Sequence, residues 1–150
     1  MSKQIEDVIN TTLTGQAQQS ALEFIAYVKA AGVFSIKQHD ENDSSGWVIH
    51  DLCFMLITGA DDFPGPWTIF MGATNLGENC GNVSEDVKEF AWKHVSPCGS
   101  CGGECAPGVS SIVFGKEFAN TCQGNLLFNN PSLEAVEFIK KIIDVRSGRN

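Results

Sequence analysis

A chain of 150 residues is the usual size of one domain, and a hydrophobic content of 43% is enough to build an ordinary core. Eighteen acidic residues against ten basic ones give a formal charge of −8. This balance disfavours nucleic acid and anionic membranes as partners, because both are bound chiefly through Lys and Arg. We therefore expect a single domain, 1–150, with no nucleic-acid partner and no membrane partner.

Two helices are predicted before residue 33. Apolar residues recur at helical spacing from Ile5 to Leu13, and Gly15 interrupts this pattern. A second helix is predicted over about residues 16–31, with Gly32 at the position where a C-terminal glycine is favoured. Its apolar face is expected to consist of Leu22, Ile25 and Val28, with Phe24 at the edge.

The following segment favours strands. Residues 33–36 predict a short strand, and the polar residues 39–46 predict a turn or loop. Residues 47–58 are rich in β-formers and almost continuously apolar, which favours one central strand. Residues 67–71 predict a second strand after a Pro/Gly-rich break, so the two strands are expected to form an antiparallel hairpin with a long loop.

The C-terminal half predicts two further helices around a strand. Ser84 is suited to cap a helix over about residues 85–95, and residues 111–115 predict a strand. In the last helix, Asn130 and Pro131 are expected to provide the cap and the first position. Its apolar face is expected to comprise Leu133, Val136, Ile139 and Ile143. The fold class predicted is α+β, an antiparallel sheet with flanking helices and a Cys-rich metal-binding loop.

No targeting segment is predicted. Residues 1–15 contain no uninterrupted apolar region like that of a secretory signal. The longest apolar run, residues 52–57, is far shorter than the roughly 20 apolar residues of a membrane helix. We therefore expect a cytoplasmic protein, and in that compartment clustered cysteines more often bind metal or carry out redox chemistry than form structural disulfides.

Four cysteines predict a metal site. Cys98, Cys101 and Cys105 lie within eight residues, and Cys122 follows beyond a predicted strand. A Cys-x₂-Cys turn directs two thiolates at one ion, and tetrahedral zinc accepts four sulfurs at about 2.3 Å. The glycines of this segment tolerate the tight backbone that such a site requires. Structural zinc is therefore the predicted cofactor. Inert cysteines, redox disulfides and an iron–sulfur cluster are the alternatives.

Three other residues bear on this prediction. His94 precedes Cys98 by four residues, and its imidazole is an alternative ligand to one sulfur, although a helix C-terminal histidine commonly interacts with the helix dipole instead. Cys53 falls in the predicted central strand and is expected to be a buried apolar side chain. Cys80 falls in a glycine- and asparagine-rich connection, where its thiol is the one most open to oxidation if it is accessible.

The C-terminal half resembles a family of small uncharacterised bacterial proteins. The resemblance covers roughly residues 85–146 and depends on the sequence motif Cys98-x₂-Cys101…Cys105-x-Pro107-Gly108, then Phe114-Gly115-Lys116-Glu117-Phe118-x₃-Cys122, then Phe128-x-Asn130-Pro131. In that family the third cysteine usually follows the second after two residues, whereas three intervene here. The family has no established activity, so the resemblance implies a metal site and names no reaction.

Three functional interpretations follow. The first is a non-catalytic binding or interaction module for an unknown small molecule or protein, in which zinc stabilises a glycine-rich segment. The second is a thiol-redox protein or enzyme that uses Cys98 and Cys101 as an exchanging pair. The third is a metal-responsive or metal-storing protein, for which a closed site is too inert. A four-thiolate zinc leaves no position for catalytic water, so the sequence favours the first interpretation. It leaves the oligomeric state open.

Overall fold

The computed structural model describes residues 4–32, 35–50, 52–60, 65–72, 76, 83–97 and 108–147, and gives only the backbone of residues 122–125. Within these ranges the chain forms an antiparallel sheet with helices, which confirms the predicted α+β class. The helices are α1 (Ile5–Thr12), α2 (Gly15–Ala31), α3 (Glu85–Lys93) and α4 (Leu133–Arg146). The strands are β1 (Ile36–Asp40), β2 (Asp43–Ile49), β3 (Cys53–Ile57), β4 (Trp67–Gly72), β5 (Val95–Pro97), β6 (Val109–Val113) and β7 (Lys116–Asn129). No helix of the described ranges is long and apolar enough to cross a membrane.

The strand order is β1-β2-β3-β4-β7-β5, and β6 also pairs with β7. Registers are defined for β1–β2, β2–β3, β5–β7 and β6–β7, and all four of these pairs are antiparallel. The chain divides into two compact units, the first comprising Met1–Phe70 and Phe128–Lys140 and the second Met71–Leu127 and Lys141–Asn150. Each unit is described separately below.

The two N-terminal helices of the first unit match their prediction, but the apolar face of α2 does not. α2 ends at Gly32, which adopts a left-handed conformation (φ 73°). Phe24, predicted at the edge of the face, is completely buried, and its ring lies 6.2 Å from that of Trp67. Leu22, predicted at the centre, is only half-buried. The buried stripe of α2 therefore centres on Phe24, Ile25 and Val28.

The polar turn or loop predicted over residues 39–46 is confirmed only at residues 41–42, which form a turn, because the rest belongs to the two strands of a β-hairpin. β1 and β2 pair closely enough that Asp40 faces Asp43 across a two-residue turn. The Asp40 carboxylate accepts the Asn42 N–H at 2.9 Å, which is the local bond that lets an Asx residue form a turn. The polar side chains of this segment belong to the exposed part of the hairpin, so their polarity does not indicate a loop.

The single strand predicted over residues 47–58 is also wrong. It is two antiparallel strands, β2 and β3, in which Trp47 faces Met55 and Ile49 faces Cys53. His50 turns the chain with a positive φ of 51°. The apolar run is interrupted by His50-Asp51 in the sequence, and aspartate is a common turn residue. This pair is the local sign of the reversal that the prediction of a single strand overlooked. The strand predicted at residues 67–71 is confirmed as β4.

The last helix differs from its prediction at its start and on its face. The Ser132 hydroxyl accepts the Ala135 N–H at 3.1 Å, so Ser132 rather than Asn130 and Pro131 caps α4. Leu133 is 45% exposed, and Ile142 replaces it among the buried residues of the helix. The residues that bury completely are Val136, Ile139, Ile142 and Ile143.

The second unit contains α3, β5, β6 and residues 116–127 of β7. The sequence did not predict that β5 and β6 both pair with β7. α3 ends at Lys93 rather than near Val95, because Val95 begins β5. The Ser84 hydroxyl makes no capping bond in the structure described. β6 covers residues 109–113 instead of 111–115, since Phe114 and Gly115 form a turn with φ of 47° and 83°. β7, which is 14 residues long, was not predicted.

Candidate metal centre

Thr121 of β7 is the residue on which the two strands flanking the cysteine segment converge. Pro97, the last residue of β5, pairs with Thr121, and Val109, the first residue of β6, pairs with the same residue. A strand residue pairs with at most one neighbour on each side, so β5 and β6 lie on opposite sides of β7 at this point. Paired Cα atoms in antiparallel strands lie about 4.5–5.5 Å apart. Both ends of the segment that carries Cys98, Cys101 and Cys105 are therefore held next to Thr121.

Side-chain hydrogen bonds fix the C-terminal end of the cysteine segment, at Gly108 and Val109. The Thr121 hydroxyl donates to the Val109 carbonyl at 2.8 Å, and the side chain of Thr121 is buried. The Gly108 N–H donates to the Asn120 side-chain oxygen at 2.9 Å. Asn120 adopts a positive φ of 58°, a conformation that asparagine tolerates better than most residues. These bonds hold the chain beside β7 immediately after the cysteine segment.

Cys122 follows Thr121 directly in β7, and consecutive Cα atoms are about 3.8 Å apart. Its backbone is described, whereas its side chain, and the whole of Cys98, Cys101 and Cys105, lie outside the described residues. The geometry of the four predicted sulfurs is therefore untested. The described backbone places Cys122 beside both ends of the segment that carries the other three.

His94 lies at the end of α3, at the position predicted for it. Its Nδ1 is 2.7 Å from the Phe90 carbonyl oxygen, and its ring lies 4.3 Å from the Phe90 ring. A carbonyl oxygen can only accept, so Nδ1 carries the proton, and a neutral ring then bears its lone pair on Nε2. The contact with a carbonyl of the last helical turn supports the interpretation of His94 as a helix C-terminal histidine. The same tautomer is the one that metal-binding histidines adopt when Nδ1 donates to a backbone carbonyl.

The remaining cysteines have separate positions. Cys53 is buried as a thiol in β3, as predicted. Cys80 lies outside the described residues. In the part of the chain that is described, no group of three or more His, Cys, Asp or Glu side chains is placed to hold a metal ion.

An aromatic cluster supports the hairpin of β6 and β7. The Trp92 indole N–H donates to the Val113 carbonyl at 2.7 Å, which ties α3 to the end of β6. The Lys116 ammonium lies 5.2 Å from the centre of the Trp92 ring and 5.4 Å from that of Phe118. Both distances are within the range of cation–π attraction. Lys116 is thus part of the contact between α3 and the hairpin.

Sequence reasoning did not identify Thr121 or Asn120 as residues that position the site. Neither is a usual zinc ligand, and their importance follows only from contacts between residues 12 or more positions apart. The one local signal is Asn120, whose residue type is common at positive φ.

The comparisons with known proteins add no relative. No protein-family model, no curated protein and no solved structure matches the chain. The resemblance to a bacterial family through the cysteine motif therefore stays a prediction.

Proposed function

We propose that this chain is a non-catalytic binding or interaction module of the cytoplasm, in which structural zinc bound by Cys98, Cys101, Cys105 and Cys122 stabilises the segment between β5 and β6. The observation that supports this proposal is the pairing of both Pro97 and Val109 with Thr121.

The strand pairing reduces the entropic cost of forming the site. Three of the four sulfurs belong to a segment whose two ends are fixed beside the residue preceding the fourth. A ligand set with anchored ends loses less chain entropy on binding a metal than the same cysteines in an open loop. Binding free energy at a structural zinc site then adds to the stability of the fold.

The residues around the predicted ligands suit a structural role. Four thiolates fill the tetrahedral coordination of zinc and leave no open position for water or substrate. Residues 95–108 contain no Lys or Arg that would compete as a cation for the thiolates. We therefore assign the metal a structural role, and the module acts through its surface on a small-molecule or protein partner.

Metal content and thiol accessibility test the proposal together. Protein purified without added metal should contain about one equivalent of zinc. Titration with a mercurial reagent in the presence of a zinc indicator should release that zinc as about four thiols react. The variant Cys53→Ser is the matched control, because it removes a buried thiol of the first unit and should leave the zinc content unchanged.

Two results would contradict the proposal. One is zinc below about a tenth of an equivalent together with free reaction of the thiols of Cys98, Cys101, Cys105 and Cys122 in the native protein. The other is a metal-free protein whose peptide map shows a disulfide between Cys98 and Cys101, which would favour the thiol-redox interpretation.

A further inference from the structure

We draw no further inference here: the strongest candidate, the patch on one face of the sheet where the rings of His39, Phe54 and Phe70 lie side by side, carries none because nothing in the structure described shows what covers that face.

Discussion

Phe114 combines two effects of opposite sign on stability. It stands first in the two-residue turn between β6 and β7, where its φ of 47° lies in the left-handed region, and its side chain is 3% exposed. The left-handed conformation costs an L-residue about 1–2 kcal/mol. Burial of the Phe114 ring offsets this cost. Removing a buried phenylalanine side chain costs about 3–5 kcal/mol.

Truncation at this position separates the two effects. Phe114→Ala loses the burial and keeps the left-handed strain, so it should lower the free energy of unfolding by about 3–5 kcal/mol. Phe114→Gly loses the same burial but relieves the strain, so it should be more stable than the alanine variant by about 1 kcal/mol. Burial outweighs strain, and both variants should be less stable than the parent.

The control is the same pair of substitutions at Phe118, which lies in β7 without a positive φ. There glycine should be less stable than alanine by about 0.5–1 kcal/mol, the usual order within a strand. Urea unfolding with unchanged m-values measures all four variants. If alanine is as stable as glycine at position 114, or more so, the turn does not hold the left-handed conformation in solution and the reasoning is refuted.

Three further predictions concern the site, a charge network and a partner class. Cys122→Ser should lower the melting temperature much more than Cys53→Ser, which should cost about 1–3 kcal/mol, because only the first removes a proposed ligand; equal melting temperatures would contradict the ligand assignment. Burial acts to lower the pKa of Lys140, but its hydrogen bonds to Glu137 and Glu23 outweigh burial and raise that pKa. The stability from a raised pKa is present below the unfolded pKa and is lost as pH rises through the folded one. Lys140→Met should therefore be about 1 kcal/mol less stable than the parent at about pH 7, and this difference should shrink as pH rises above the ordinary lysine value of 10.5, as urea unfolding across this pH range will show. Labelled single- and double-stranded oligonucleotides should show no saturable binding at physiological salt, since a net acidic chain neutralises few phosphates, and salt-sensitive micromolar binding would refute this.

Helices were the part of the fold most accessible from sequence, because their signals are local. The apolar spacing of α1 and the glycine after α2 depend on neighbours within one or two turns, and both were predicted at nearly their observed positions. The errors within helices concerned which residues of each helix face the core. Leu22 and Leu133 are intrinsically as apolar as the residues that replace them in the core, and only packing against other elements distinguishes them.

The strands were predicted less well because their boundaries depend on pairing. β7 contains Asn120, Gly124 and Asn125, residue types that indicate turns when taken alone, yet pairing with β5 and β6 extends the strand through this region. The turn at Phe114 and Gly115 was not predicted either, because its first residue is not one that usually forms turns. Two-residue hairpin turns are usually formed by Asn-Gly or Asp-Gly, whereas here a buried aromatic residue occupies the first position.

The sequence alone proposes the four candidate metal ligands, and that proposal stays a prediction, whereas the strand pairing next to them could not be predicted. Cysteine spacing is the only signal for which thiols would share a metal, because the chemistry of the ion limits the choice. The role of Thr121 appears only in the strand pairing, since two segments distant in sequence must meet on either side of it. No local pattern encodes such a meeting.

The two ends of β6 are held by different means, and the proposed zinc would act at only one of them. At the turn end, the Trp92 indole binds the Val113 carbonyl and the Leu76 carbonyl binds the Phe114 N–H, so this end depends on packing within the second unit. At the other end, Val109 follows the cysteine segment closely and is bound by the Thr121 hydroxyl. Metal bound within the cysteine segment would restrict the chain entering β6 at Val109 and leave the turn end unaffected.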